Sequence, residues 1–272
     1  MQSAGEGVEA ALNYVVNTGE SIVIRPSVAG GAPGQRQGRF EERSVVIHDA
    51  RPMIDELTLD REGFALVRHQ TAVTDFHDEE QRRTVYDPEI ERLVGAATGA
   101  VRVVVFDHTL RSDSEDVRTR MKIREPVQGV HNDYTPRSGP QRVRDLFPAD
   151  EAEDLLSRRF AIINVWRSTG GPIETMPLCI CDARSISPDD LVVSERRAVD
   201  RVGYTYRIAY NPDHKWYWFP AMRFDEAMLI KSYDSATDGT ARFTPHTAFP
   251  VPGTPPDAAP RQSIESRLFA FF

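Results

Sequence analysis

The chain has 272 residues, 40% of them hydrophobic and 27% charged, with 13 Phe, 8 Tyr and 3 Trp; this composition can bury a full core and excludes a disordered chain. Lys and Arg number 33 against 41 Asp and Glu, a formal net charge of -8, so no bulk positive field exists for a phosphate backbone and nucleic acid is not expected as a partner. No apolar run approaches the roughly 18 to 20 residues that span a bilayer, and the first nine residues lack the basic and apolar regions of a signal peptide, so a cytoplasmic protein with no membrane contact is expected.

In chain order, residues 1–99 read as N-terminal strands and buttressing helices ahead of a core at 100–272, all within a single domain, 1–272. The small and Gly/Pro residues of 28–37 predict a loop. Asp87-Pro88-Glu89 has the form of an N-cap with Pro at the first helical position, Ile90, Leu93, Val94 and Ala97 follow at helical spacing, and Gly99 ends the run. Ser138 and Gln141 predict a capping box for a second helix, with further helical turns over 148–158. Strands are predicted at 101–106, 160–166, 177–181, 204–210, 216–219, 228–233, 243–249 and 268–272, which are rich in β-branched and aromatic residues. Tyr204, Tyr206, Ile208 and Tyr210 alternate with polar or small residues, as in a half-buried antiparallel strand. Many short strands joined by turns, with few helices, predict a mainly β protein with flanking helices: a double-stranded β-helix, the cupin-like jelly roll.

Among seven histidines, the informative one is in Val130-His131-Asn132-Asp133-Tyr134. Residues two apart on a strand share a face, so His131 and Asp133 present an imidazole and a carboxylate together. His246, 115 positions later, falls in another predicted strand that the barrel brings back beside them. Two histidines and one carboxylate are the ligand set of non-haem Fe(II) oxygenases, with positions left for a cosubstrate and O2. Further on, Arg261 and Ser263 are again two apart. A guanidinium fork beside a hydroxyl suits a carboxylate held in a dry pocket, as the distal carboxylate of 2-oxoglutarate requires. Arg267 lies in the same strand phase, so the clamp is either Arg261 or Arg267. Asn164 and Trp166 share one face of their strand and either line a substrate pocket or fill a core layer. His48, His69, His77, His108 and His214 read as packing, turn or surface residues, and the 216–219 aromatics as core. Cys179 and Cys181 fall on one face of a strand and predict neither a structural disulfide nor a zinc site.

Taken together, His131-x-Asp133, Asn164-Val165-Trp166-Arg167, Asp213-His214-Lys215-Trp216-Tyr217-Trp218-Phe219, Tyr233-Asp234-Ser235, His246-Thr247-Ala248-Phe249 and Arg261-Gln262-Ser263-Ile264-Glu265-Ser266-Arg267 occur in an order that resembles one group throughout. This is the fungal and bacterial hydroxylase/desaturase family of the 2-oxoglutarate/Fe(II) oxygenase superfamily, with its cephamycin 7-alpha-methoxylase partner-like and gibberellin-desaturase-like members. The resemblance covers about residues 100–272. It implies a jelly-roll oxygenase of secondary metabolism, with His131, Asp133 and His246 on iron and Arg261 with Ser263 on 2-oxoglutarate. The expected reaction is hydroxylation, desaturation or cyclisation at an unactivated carbon of a small molecule, using O2. An iron oxidase that consumes no 2-oxoglutarate and a non-catalytic jelly-roll binding protein are the rival expectations. The aromatic tail 268–272 is open to two readings, a homodimer interface or burial against the chain's own core.

Overall fold

A computed structural model of the chain describes residues 6–198 and 201–272. Its strands are β1 (Gly7–Val15), β2 (Ile22–Arg25), β3 (Gln35–Gln37), β4 (Phe40–Asp49), β5 (Phe64–Arg68), β6 (Arg102–Ser112), β7 (His131–Asn132), β8 (Phe160–Ser168), β9 (Leu178–Cys181), β10 (Leu191–Arg197), β11 (Val202–Ile208), β12 (Trp216–Trp218), β13 (Glu226–Asp234), β14 (His246–Ala248) and β15 (Gln262–Phe271). They form two sheets facing each other, one in the order β1-β4-β12-β9-β14-β7-β11-β10-β2-β3 and the other β5-β13-β8-β15-β6. The fold is a jelly roll. Among the described residues no helix is long and apolar enough to cross a membrane.

The smaller sheet is buried on both faces because each face has its own cover. On the outer face, Ile90 and Val94 of the helix Asp87–Thr98 pack on Ala161, Ile163 and Val165 of β8 and Leu268 and Ala270 of β15. That helix ends at Gly99, whose φ of 74° is the left-handed conformation that closes a helix most cheaply without a Cβ. Its start differs from expectation. The helical run begins at Asp78, whose carboxylate accepts from Glu80 N and Gln81 N, and continues through a wider turn at Arg82–Tyr86, so Asp87 is no cap.

Ser138 likewise makes no capping box. Thr135 Oγ1 accepts from Arg137 N and Ser138 N, while Gln141 reaches Asp145 instead. The helices Ser138–Leu146 and Ala149–Leu156 pack Val143, Ala152 and Leu155 against Phe160, Ile162, Phe269 and Phe271. The tail therefore buries in the chain's own core. Asn132 and Thr135, buried and polar, hold the loop that leads into these helices.

The inner face of β8 shows where the site lies. Ile162 belongs to the cluster at one end, Trp166 to another formed with Phe64, Ile180, Phe219 and Ile230, and the residue between them on that face is Asn164, fully buried. A polar band thus runs between two apolar clusters. The strands of residues 6–99 enter both sheets: β1 and β4 pair over nine residues at one edge of the larger sheet, β2 lies parallel to β10, and β5 edges the smaller sheet against β13.

Candidate active site

In β7 and β14, His131 and His246 are direct antiparallel partners. Directly opposed residues project to the same side of a sheet, and the two rings lie 4.6 Å apart between centroids. Asp133, two residues beyond His131, brings Oδ1 to 3.6 Å from His131 Nε2. One ligand atom from each of the three lies within 4.8 Å of the others.

The hydrogen bonds select the tautomers. His131 Nδ1 lies 2.8 Å from Gly129 O and His246 Nδ1 3.0 Å from Thr244 O; a carbonyl only accepts, so both rings carry their proton on Nδ1 and turn the Nε2 lone pair inward, the form that binds a metal. Burial, followed by His246 and Arg207, holds His131 well below its ordinary value, so the ring is neutral. His246 is 2% exposed and its Nε2 has no hydrogen-bond partner among the described residues. A buried acceptor left alone is costly, and a cation between these three groups removes that cost. The residues present therefore fit a divalent iron.

Asp133 is held from behind. Its Oδ2 accepts from Asn164 Nδ2 at 2.9 Å and from Arg267 Nε at 2.8 Å. Burial alone raises the Asp133 carboxyl, but Arg267, His131 and His246 outweigh it and keep it well below the usual carboxylate range. Arg267 also donates to Glu265 Oε2 at 2.8 Å and Asp107 Oδ2 at 2.7 Å. Asn164 donates to Glu265 Oε1 at 2.9 Å, an oxygen that lies 3.8 Å from His246 Nε2. Thr244, whose carbonyl fixes His246, is pinned by its N–H to Asn132 Oδ1 and by its hydroxyl to Gly63 O. At Gly63 the φ is +87° and a Cβ would collide with the Thr244 side chain, so only glycine fits.

Arg261 is 2% exposed. It donates through Nε to Ser263 Oγ at 2.9 Å and through Nη1 to Met176 O at 2.6 Å, and its guanidinium lies over the Trp166 ring. The cross-strand partner of Ser263 is Arg111. Burial, followed by Arg111, lowers the Arg261 guanidinium to about 9. Neither arginine has a carboxylate at ion-pair distance among the described residues. Two desolvated cations without a counter-ion suit a carboxylate ligand.

The structure thus brings His131, Asp133 and His246 together, sets Arg261 beside Ser263, and engages Arg267 with three carboxylates. Asn164 and Trp166 do share a face, but Asn164 is spent on Asp133 and Glu265, and Trp166 lies under Arg261 within an apolar cluster. Other histidines are occupied elsewhere: His214 by Asp190, His108 by Ser266 and Asp87, His69 by Arg167.

A cavity of about 1190 Å³ opens on His131, Asp133 and Arg267. Sequence reasoning missed three neighbours of the site, Glu265 beside His246 and Arg267, and Arg111 and Arg207 on the cavity wall. The first shares the phase of Arg261 and Arg267 and was legible from spacing; the other two become neighbours of the site only through cross-strand register.

Two imidazoles with their Nε2 atoms turned inward and an anchored carboxylate inside a jelly roll define the class, a mononuclear non-haem iron oxygenase. A family model described as the oxidoreductase/YMDC permease-like domain matches residues 12–271. The hydroxylase/desaturase CTB9 of Cercospora beticola is 36% identical over 89% of this chain and 81% of its own length. The Fe(II)/2-oxoglutarate-dependent dioxygenase nvfI of Aspergillus novofumigatus is 32% identical over 88% of this chain and 87% of its own. A solved structure of the iron and alpha-ketoglutarate-dependent endoperoxidase NvfI superposes with a TM-score of 0.85 at 29% identity, covering 98% of both chains. The chain belongs to this oxidoreductase family, and it is an Fe(II)/2-oxoglutarate-dependent dioxygenase.

Proposed function

We propose that His131, Asp133 and His246 hold the iron, that Arg261 with Ser263 takes the distal carboxylate of 2-oxoglutarate, and that the cavity beside them receives a small secondary metabolite for hydroxylation, desaturation or cyclisation. The buried, partnerless His246 Nε2 facing His131 and Asp133 carries this reading. Bound iron and 2-oxoglutarate supply the oxidising power that O2 needs to attack an unactivated carbon. The chain's own residues supply geometry. Gly129 and Thr244 fix the imidazole planes, Asn164 and Arg267 fix the Asp133 carboxylate, and the apolar clusters on either side keep water from the ligands. Arg267 acts here as the positioning residue of Asp133 rather than as the cosubstrate clamp. The cytoplasm is the compartment we assign, supported by Cys179 and Cys181, which are buried free thiols.

The test is an anaerobic titration of metal-free protein with Fe(II) and then 2-oxoglutarate, followed by the visible charge-transfer band of bidentate chelation. The band should appear in the wild type, vanish in His246→Ala and weaken in Arg261→Ala. Iron binding with no band would replace this reading by an oxidase independent of 2-oxoglutarate, and no iron binding would leave a binding protein.

A further inference from the structure

The cavity next to the ligands is far more basic than the chain that forms it. Ten arginines and one lysine line it against five carboxylates, in a protein of net charge -8. Of those carboxylates, Asp133 and Asp107 are held by Arg267, and Asp145 lies 4.0 Å from Arg201. Arg207 is one of these arginines. This residue is the direct antiparallel partner of His131, so its side chain projects to the same side of the sheet as the metal ligands.

Arg207 is 7% exposed. Among the described residues its one hydrogen bond is 3.3 Å from Nη1 to Gly129 O, and its Nε is buried without a hydrogen-bond partner. Among the described residues, the Nε–Nη2 edge, which receives a carboxylate side-on, is therefore unused. The titratable neighbours do not compensate. Arg36 and Arg196 are like charges, and Asp133, the one nearby acid, is not at ion-pair distance. A Cβ on Gly129 would lie 3.1 Å from Arg207 Nη1 and 3.7 Å from Arg36 Nη1, so both guanidiniums converge on one glycine. Arg36 is tied to neutral Asn13 at 2.8 Å. Burial, followed by Arg36, lowers Arg207 to about 10.

We propose that the substrate is a carboxylic acid, and that Arg207, flanked by Arg36 and Arg196, binds its carboxylate on the His131 side of the cavity. This deepens the reading above, since it names the chemical class that the same site takes. Arg261 and Ser263 lie at the β15 end of the opposite sheet, so cosubstrate and substrate carboxylates have separate partners. The aromatic walls at Phe106, Tyr134 and Tyr204 suit an apolar body attached to that acid.

Binding of a probe series to metal-free protein, without 2-oxoglutarate, tests this by calorimetry. The probes are benzoate, 2-naphthoate, adamantane-1-carboxylate and decanoate, each paired with its primary amide. At least one acid should bind tenfold or more tightly than its amide. Arg207→Gln should lose that preference and Arg261→Gln should keep it, while the near-UV circular dichroism and urea midpoint of both variants match the wild type, showing an intact fold. No acid binding better than its amide would overturn the proposal, as would a preference lost in Arg261→Gln but kept in Arg207→Gln. Because the probes need no iron, an acid preference that tracks Arg207 in a protein lacking the band would refute the dioxygenase assignment and leave the carboxylate site standing.

Discussion

Arg267 shows how a single side chain sets the charge of the site. Burial lowers its guanidinium, but Asp133, Glu265 and Asp107 together raise it well above its ordinary value, so it is a permanent cation among three acids. Replacing it by Gln leaves Asp133 and Glu265 buried with the Asn164 amide as their remaining donor and no cation beside them, which costs about 3–5 kcal/mol and loosens Asp133. Arg267→Gln should therefore weaken Fe(II) binding by about 10- to 100-fold, with the deficit growing on the acid side because a raised Asp133 competes for protons. Fe(II) dissociation constants measured between pH 6 and 8 check this, and an unchanged constant would remove Arg267 from the role. At this scale His-x-Asp and Arg-x-Ser were legible because residues two apart in a strand share a face. The bonds from Asn164 to Asp133 and from Arg267 to Asp107 were not, since they depend on which strands become neighbours.

Among the elements, the predicted strands of the second half all appear, though their ends move: β6 continues to Ser112 and β15 begins at Gln262. The first half was harder. Val8, Ala10, Leu12 and Tyr14 of β1 do alternate, but Glu41, Glu42, Arg43 and Ser44 of β4 hide a strand that pairs with β1 and brings Glu42 to the cavity. In β11 the alternation was legible and its meaning was not. Thr205 and Arg207 are buried, whereas of the alternating set Tyr204 and Tyr206 are half-buried and Ile208 is buried, so both faces of β11 are covered. The helix Asp87–Thr98 gives this scale its prediction. Ile90 is fully buried against β8 and β15, and Ile90→Ala should cost about 2–5 kcal/mol. Urea unfolding measures it, and a loss below about 0.5 kcal/mol, the surface range, would mean that the outer layer is not part of the cooperative core.

For the molecule as a whole, the histidines make stability depend on pH. His69, His131 and His214 are each lowered, chiefly by burial, so near neutrality they are uncharged in both folded and unfolded chains. Below the unfolded value, about 6.5, the unfolded chain takes up protons that the folded one refuses, and stability falls with pH until the folded values are reached. The urea midpoint of metal-free protein should thus drop from pH 7.5 to 5.5, and the drop should shrink in His214→Gln. A midpoint that is flat, or rises toward acid, would contradict the burial of these rings.

The pairing of His131 with His246 also orders events in time. The two partners are 115 residues apart, and β7 has only two residues to hold that register. Closing so long a loop is entropically demanding, so the iron seat proposed above is expected to be completed late in folding. During refolding, capture of the metal should lag behind burial of the tryptophans, making iron a reporter of the last closure as well as the latch that keeps it shut.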